Sequence, residues 1–204
     1  MTHAKQFDER LFTELHFDAR HLSPLRRLYR HMLGNCLGAG FSFREAPGLH
    51  PKMTWHYASS PRTLAAFRHC LTSSDLRESL SIVHGDSQLL AACFVVVRGD
   101  TPSMDFHVDY GERAIPAGVT GTMLTPLLAL DAQFGHLDYR EGRGQFEYRY
   151  QLGKAILFDG KFEHRSQAAN SVGPGTRTLV SWSIATNDAQ YRFAIGRIID
   201  SQTK

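Results

Sequence analysis

Leu89-Leu90-Ala91-Ala92-Cys93-Phe94-Val95-Val96-Val97 divides this chain of 204 residues into two kinds of sequence. The run is continuously apolar and rich in valine, the pattern of a β-strand covered on both faces. On its N-terminal side the spacing is helical. Ser23-Pro24 places an N-cap before a proline at the first helical position, where no amide donor is needed. Leu25, Leu28, Tyr29, Met32 and Leu33 then form one apolar stripe that stops at Gly34. Ser60-Pro61 repeats the start signal, and Leu64, Phe67 and Leu71 line a second helix. Asp75 with Glu78 resembles a capping box, and Leu76, Leu80 and Val83 predict a third, short helix closed by Gly85. Residues 35–58 lack periodicity and carry Gly38, Gly40, Pro47, Gly48 and Pro51. They are expected to form a long connection, with a strand around Lys52 to Tyr57.

On the C-terminal side the period is two. Strand-like runs occupy 104–110, 119–130, 136–140, 145–152, 154–158, 163–168 and 177–186. Phe146, Tyr148, Tyr150 and Leu152 alternate with Glu147, Arg149 and Gln151, which predicts one dry and one wet face. Pro126 lies inside the second run and is expected at an edge or a bulge. So many short strands predict a mainly β fold of jelly-roll type, with N-terminal α-helices packed on its outside. The expected organisation is a single domain over 1–204. It comprises a helical N-terminal layer and connection over 1–86, a β core over 87–187 and a C-terminal tail over 188–204.

Composition excludes several classes. The net charge of +3 is mixed along the chain with no block of basic residues, so no nucleic acid or membrane partner is expected. Cys36, Cys70 and Cys93 are odd in number and form no CxxC pair, which argues against a disulfide scaffold or a cysteine zinc site and fits a reducing cytoplasm. Met1 to Arg10 is polar, without the apolar core of a signal peptide, and no apolar stretch is long enough to span a bilayer. A cytoplasmic location is the expectation.

Met104-Asp105-Phe106-His107-Val108-Asp109-Tyr110-Gly111 carries the chemistry. In an extended chain His107 and Asp109 share a face, so imidazole and carboxylate can grip adjacent corners of a metal's coordination sphere. The chain holds four His-x-Asp triplets: His16/Asp18, His84/Asp86, His107/Asp109 and His136/Asp138. Gly85 breaks the second at a helix end, and the first precedes the barrel. The fourth leaves room for only about two strands before His164, the candidate third ligand, whereas His107 leaves room for about four. Two histidines and one carboxylate on one side of an iron leave three positions open for oxygen chemistry. Further on, Arg177, Leu179, Ser181 and Ser183 alternate with Val180, Trp182 and Ile184. An arginine and two serines on an inward face build a poor core but a good anion site, since guanidinium pairs a carboxylate through two hydrogen bonds.

His107-x-Asp109, then Gly153-Lys154-Ala155-Ile156-Leu157-Phe158-Asp159-Gly160 leading to His164, then Arg177 opening the final strand, resembles the iron(II)/2-oxoglutarate-dependent dioxygenases. The prolyl-hydroxylase-like branch is the most similar. Gly135-His136-Leu137-Asp138-Tyr139 is similar to its Gly-Gly-x-Leu strand, and Leu128-Ala129-Leu130-Asp131 to the end of another. The resemblance covers about 88–187. It implies a double-stranded β-helix, the cupin-like jelly-roll core. It implies His107, Asp109 and His164 as ligands of Fe(II), Arg177 on the distal carboxylate of 2-oxoglutarate with Ser181 as helper, and Thr122 or Thr125 as a further contact. O2 is the other co-substrate, and succinate and CO2 are the co-products. Asp109 argues for hydroxylation or another oxidation, desaturation and ring formation included, because related halogenases carry a small residue there to admit chloride. Two departures stand out, neither of which removes a ligand: the long gap between His164 and Arg177, with an inserted turn at Asn170 to Gly175, and His136 in place of the second glycine, a side chain with room to crowd or contact the substrate side.

The expected substrate is a small polar metabolite or natural-product intermediate rather than a protein. Tyr110 to Gly118 is expected at the pocket mouth, with the Arg140 to Gly144 turn and the 41–57 connection as possible covers. Two alternatives use the same residues: a cupin-like divalent-metal hydrolase or lyase, and a barrel that binds without turnover.

Overall fold

The computed structural model describes residues 12–34, 40–46, 50, 52–72, 76, 87–99, 101–109, 119–130, 135–168, 176–191 and 193–196. In chain order these form β1 (Phe12–His16), a 3-10 turn (Ala19–Leu22), α1 (Ser23–Gly34), β2 (Phe41–Glu45), β3 (Met53–Ala58), α2 (Pro61–Thr72), β4 (Ser87–Arg98) and β5 (Thr120–Pro126). They continue through β6 (Leu137–Glu141), β7 (Gly144–Tyr148), β8 (Lys154–Asp159), β9 (His164–Ser166) and β10 (Thr176–Thr186).

Two antiparallel sheets face each other. The larger has the order β1-β8-β5-β10-β4-β3-β2, the smaller β7-β6-β9. A stretch around His107 joins the outer edge of the smaller sheet through an isolated bridge to His164. From β4 onward the chain therefore steps between sheets: β4 in the large one, 104–109 against the small one, β5 large, β6 and β7 small, β8 large, β9 small, β10 large. That alternation is the double-stranded β-helix expected from the sequence, with the helices on one side.

Alternate residues of the central strands enter two different cores. Ala92, Phe94, Met123, Leu157, Val180, Trp182 and Ile184 pack under Leu25, Tyr29 and Met32 of α1 and Phe67, Cys70 and Leu71 of α2. The intervening residues Cys93, Val95, Val97, Leu124, Ile156, Phe158 and Leu179 fill the space between the sheets. The Leu89–Val97 run is thus covered on both faces, as its composition requires. Two polar groups under the helices are paired: Trp182 Nε1 donates to Phe67 O at 3.1 Å, and Thr178 Oγ1 donates to Tyr29 Oη at 2.9 Å.

Several local expectations change. Ser60 caps α2 as read, accepting from Thr63 N at 3.2 Å while its own N donates to Thr63 Oγ1 at 3.1 Å. Ser23 does not cap α1: the 3-10 turn runs straight into it, and Asp18 caps that turn by accepting from Arg20 N. Leu33 is 60% exposed, so the α1 stripe ends at Met32. The first 86 residues are not only helical, because β1, β2 and β3 widen the large sheet, and β2 lies within the stretch read as connection. Pro126 is neither at an edge nor in a bulge. It ends β5, a strand flanked on both sides, opposite Leu179. Its missing N–H is tolerated because it is the last residue of the ladder. Residues 104–110 form no strand among the described positions, only the bridge at His107. The alternation over 145–152 holds in part: Tyr148 and Tyr150 are buried, while Phe146 and Leu152 are exposed beyond the dry face. The third helix (apart from buried Leu76), the 110–118 mouth and the turn at 170–175 lie outside the described residues.

Candidate metal centre

His107 and His164 are opposite members of one antiparallel pair. His107 N donates to His164 O at 2.9 Å, and His164 N donates to His107 O at 2.9 Å. Residues that exchange both backbone bonds present their side chains on the same face. The two imidazoles consequently lie side by side, their centroids 4.7 Å apart. Asp109 reaches back to them: its Oδ1 is 3.4 Å from His164 Nε2 and 4.0 Å from His107 Nε2. One ligand atom from each residue falls within 4.8 Å of the other two.

Each ligand is oriented from behind. His107 Nδ1 lies 3.0 Å from Asp105 O and His164 Nδ1 lies 2.9 Å from Phe162 O. A carbonyl can only accept, so both Nδ1 atoms carry the proton and both Nε2 lone pairs face the gap. Asp109 Oδ2 accepts from Thr122 Oγ1 at 2.7 Å, which turns Oδ1 toward the histidines. Ligands fixed through their outer atoms in this way are the arrangement a divalent cation requires. Burial pushes the Asp109 carboxyl up, but His164, the Thr122 hydroxyl and His107 outweigh it and hold it at about 2. Burial likewise pulls His164 down, and Asp109 more than compensates, so its pKa ends raised. His107, with burial and His164 both acting against its charged form, is lowered.

The residues expected to bind an anion lie on β10. Arg177 is fully buried, and its Nη1 donates to Gly135 O at 2.7 Å. Gly135 adopts φ +65°, and a Cβ there would meet Ala168 O at 2.5 Å, so glycine is needed to present that carbonyl. Burial pulls the Arg177 pKa down, yet a guanidinium remains charged. Ser181 faces the same interior opposite Cys93, whose thiol burial pushes up to about 12. Thr122 pairs with Ser183 on this face, and its hydroxyl serves Asp109. Thr125 pairs with Val180 on the helix-covered face and donates to Lys154 O at 2.7 Å, so it is not brought to the site.

Among the described residues, the other triplets do not gather ligands. His16 Nε2 sits 3.0 Å from Glu14, away from Asp18, and His84 and Asp86 lie outside the described residues. His136 Nδ1 accepts from Tyr150 N at 3.2 Å, while Asp138 binds Arg165 and Gln167. The His136 backbone lies beside Arg177, whose Nη1 is 3.4 Å from His136 O. Arg140 in the β6–β7 hairpin is held by Glu163 at 2.8 Å and lies over the Phe106 ring.

Two site residues were not singled out from the sequence. Tyr150 lies in the barrel, 5% exposed, with the Arg177 guanidinium 5.7 Å from its ring centroid. Its hydroxyl is buried without a hydrogen-bond partner among the described residues, and burial pushes it up to about 12. The period-two pattern through Phe146, Tyr148 and Tyr150 was the available signal. His50 sits 4.9 Å from the His107 ring and 5.3 Å from Trp55, and burial, then His107, lowers it to about 4. No periodicity surrounds it that could have pointed to it.

No family model and no curated protein matches the sequence. Solved structures do. The 2-oxoglutarate-dependent epimerase SnoN from nogalamycin biosynthesis is 13% identical with a TM-score of 0.68, over 90% of this chain and 82% of that one. HygX from Streptomyces hygroscopicus, with nickel, 2-oxoglutarate and hygromycin B bound, is 14% identical with a TM-score of 0.65, over 89% and 85%. A Pseudomonas putida prolyl-4-hydroxylase is 12% identical with a TM-score of 0.65, over 91% and 98%. At such identities the likeness is one of backbone, and it places the chain in the double-stranded β-helix fold that these oxygenases share.

Proposed function

We propose that this chain is a non-haem iron(II)- and 2-oxoglutarate-dependent oxygenase that hydroxylates an unactivated carbon of a small polar metabolite or natural-product intermediate. The observation that carries it is the convergence of His107 Nε2, His164 Nε2 and Asp109 Oδ1, each held from behind by a carbonyl or hydroxyl. Those three residues would hold the ferrous ion on one side, and the donor set of two imidazoles and one carboxylate suits it. Arg177 would pair the distal carboxylate of 2-oxoglutarate, and the Ser181 and Tyr150 hydroxyls would add hydrogen bonds to it. With both held there, O2 would be the oxidant of a carbon–hydrogen bond: one oxygen atom would enter succinate as CO2 leaves the keto-acid, and the other would enter the substrate.

The protein's own part is placement and exclusion of water. Phe158 and Phe162 stack near the His164 ring, at 4.8 and 5.5 Å, and close the inner side of the centre. Buried Arg177 offsets the desolvation of an anion in that apolar interior. A cupin-like hydrolase or lyase would use the same three ligands but has no evident need for a buried guanidinium within the barrel. Neighbouring folds solved with hygromycin B or nogalamycin RO support a small-molecule substrate.

Anaerobic titration of the metal-free chain with Fe(II), then 2-oxoglutarate, tests the assignment. A visible charge-transfer band that needs both is the expected result. Metal binding with no band would leave the hydrolase or lyase, and neither signal would leave a binding module. Product mass then separates hydroxylation, which adds one oxygen, from desaturation, epimerisation or ring closure.

A further inference from the structure

The inner face of the large sheet continues past the barrel. Opposite Cys93, Val95 and Val97 of β4, strand β3 sets Tyr57, Trp55 and Met53. Met53 is buried, whereas Trp55 and Tyr57 are only half-buried. On the next strand Arg44 pairs with Trp55 and Ser42 with Tyr57, so they share this face, and both are exposed. His50 connects the shelf to the metal centre, its ring 5.3 Å from Trp55 and 4.9 Å from His107. Imidazole ligand, imidazole, indole and guanidinium thus follow one another outward. Two strand spacings separate β4 from β2, about 10 Å. A charge on an edge strand has a plain use in preventing sheet-to-sheet pairing. That use does not account for an indole half-open to solvent beside it, on the same face as the metal ligands' approach. A flat aromatic surface next to a cation is a recognition surface for a ring that carries an anion.

We propose that Trp55, Tyr57, His50 and Arg44 form the substrate-binding mouth of the metal centre and select a compound with a flat ring bearing a carboxylate or phosphate. The ring lies on the Trp55 indole and the anionic group meets the Arg44 guanidinium. This rests on the oxygenase assignment for what is done to the substrate, but not for the binding itself.

The test uses three probes on the full chain, metal-free and loaded anaerobically with Fe(II) and 2-oxoglutarate: phenylacetate, phenylacetamide and acetate. Tryptophan fluorescence reports on Trp55, since Trp182 is fully buried under α2 and gives a constant background. Phenylacetate is expected to change the emission saturably. The neutral amide should bind about fivefold more weakly, the size of one exposed ion pair. Acetate alone should produce no change. Arg44→Gln should bring phenylacetate to the level of the amide, and Trp55→Phe should remove the signal. Both substitutions lie on or beside the open edge, where the fold tolerates them, and circular dichroism checks this. Equal binding of acid and amide, an unchanged phenylacetate curve in Arg44→Gln, or no saturable response would overturn the proposal. The charge-transfer band is read on the same samples. A normal band without probe binding removes the mouth alone, and probe binding without the band removes the oxygenase assignment alone.

Discussion

The two faces of β10 are built to opposite rules. Val180, Trp182 and Ile184 meet α1 and α2 in an apolar layer, where the Trp182 indole N–H is paired to Phe67 O. One residue along, Arg177, Ser181 and Ser183 turn a guanidinium and two hydroxyls into the barrel. Both faces are buried, so burial does not distinguish them. The outer face maximises contact area, while the inner face presents the polar groups of the candidate site. Stability and function are therefore expected to separate by residue parity along one strand.

The largest test of that separation is at the ligands. His107→Ala, Asp109→Ala and His164→Ala are each expected to reduce iron-dependent turnover below detection, while His136→Ala leaves bound iron in place. Metal content and succinate release measure this. Iron lost from His136→Ala but retained by His107→Ala would reverse the choice of triplet. The outer face gives the mirror result. Trp182→Ala removes a fully buried indole and is expected to cost about 3–5 kcal/mol of unfolding free energy. Surviving folded protein should still bind metal. A denaturant titration beside a metal titration decides it.

Arg177 crosses between the two rules, being fully buried yet charged. Arg177→Leu is expected to weaken 2-oxoglutarate binding by about 10- to 100-fold, the worth of a charge-assisted pair, with iron affinity nearly unchanged. Arg177→Lys should lose less. Because Nη1 also holds Gly135 O, the Leu variant is expected to loosen the start of β6, visible as faster amide exchange there. An unshifted keto-acid curve would leave a metal site with no assigned co-substrate.

The parity of β10 was legible because Arg177, Ser181 and Ser183 share one face of a strand whose other face carries Val180, Trp182 and Ile184. The grouping of the candidate triad was legible for a different reason: His107 and His164 carry rare chemistry, and the distance between them allowed enough strands to bring the wall round. What makes them adjacent was not legible. The sequence suggests a strand at 104–110, whereas one bridge aligns the rings, and a bridge depends on the partner more than on local propensity. β1 and β2 were missed because Phe-Thr-Glu-Leu-His and Phe-Ser-Phe-Arg-Glu are short edge strands with wet residues, which alternate too briefly to signal. Thr122 and Thr125 could not be separated, since a shift of one residue exchanges the two faces.

The pH dependence follows from the same cluster. Asp109 raises the pKa of His164, and a metal must displace that proton. Affinity for Fe(II) or Zn(II) is expected to fall as pH drops, beginning above the ordinary histidine value of about 6.5. The Asp109 carboxyl, held at about 2, stays ionised throughout and adds nothing to that slope. A binding curve flat from about pH 8 to 6 would mean that the raised pKa of His164 is not what the metal meets.

The smallest expected effect is the sharpest for the comparison of faces. Thr122 and Thr125 are both buried, both on β5 and both donors of a 2.7 Å hydrogen bond, one to Asp109 Oδ2 and the other to Lys154 O. Valine is close in shape to threonine and lacks only the hydroxyl. Thr122→Val frees the outer oxygen of a metal-ligating carboxylate, so metal affinity is expected to fall about tenfold, as for other supports behind a ligand. Thr125→Val removes a bond that touches nothing in the barrel and should cost about 1 kcal/mol of stability with metal affinity unchanged. Because the two substitutions are chemically identical, any difference in metal binding comes from the face alone. If Thr125→Val weakened metal binding as much as Thr122→Val, the faces of the sheet would be coupled, and residue parity would not separate stability from function.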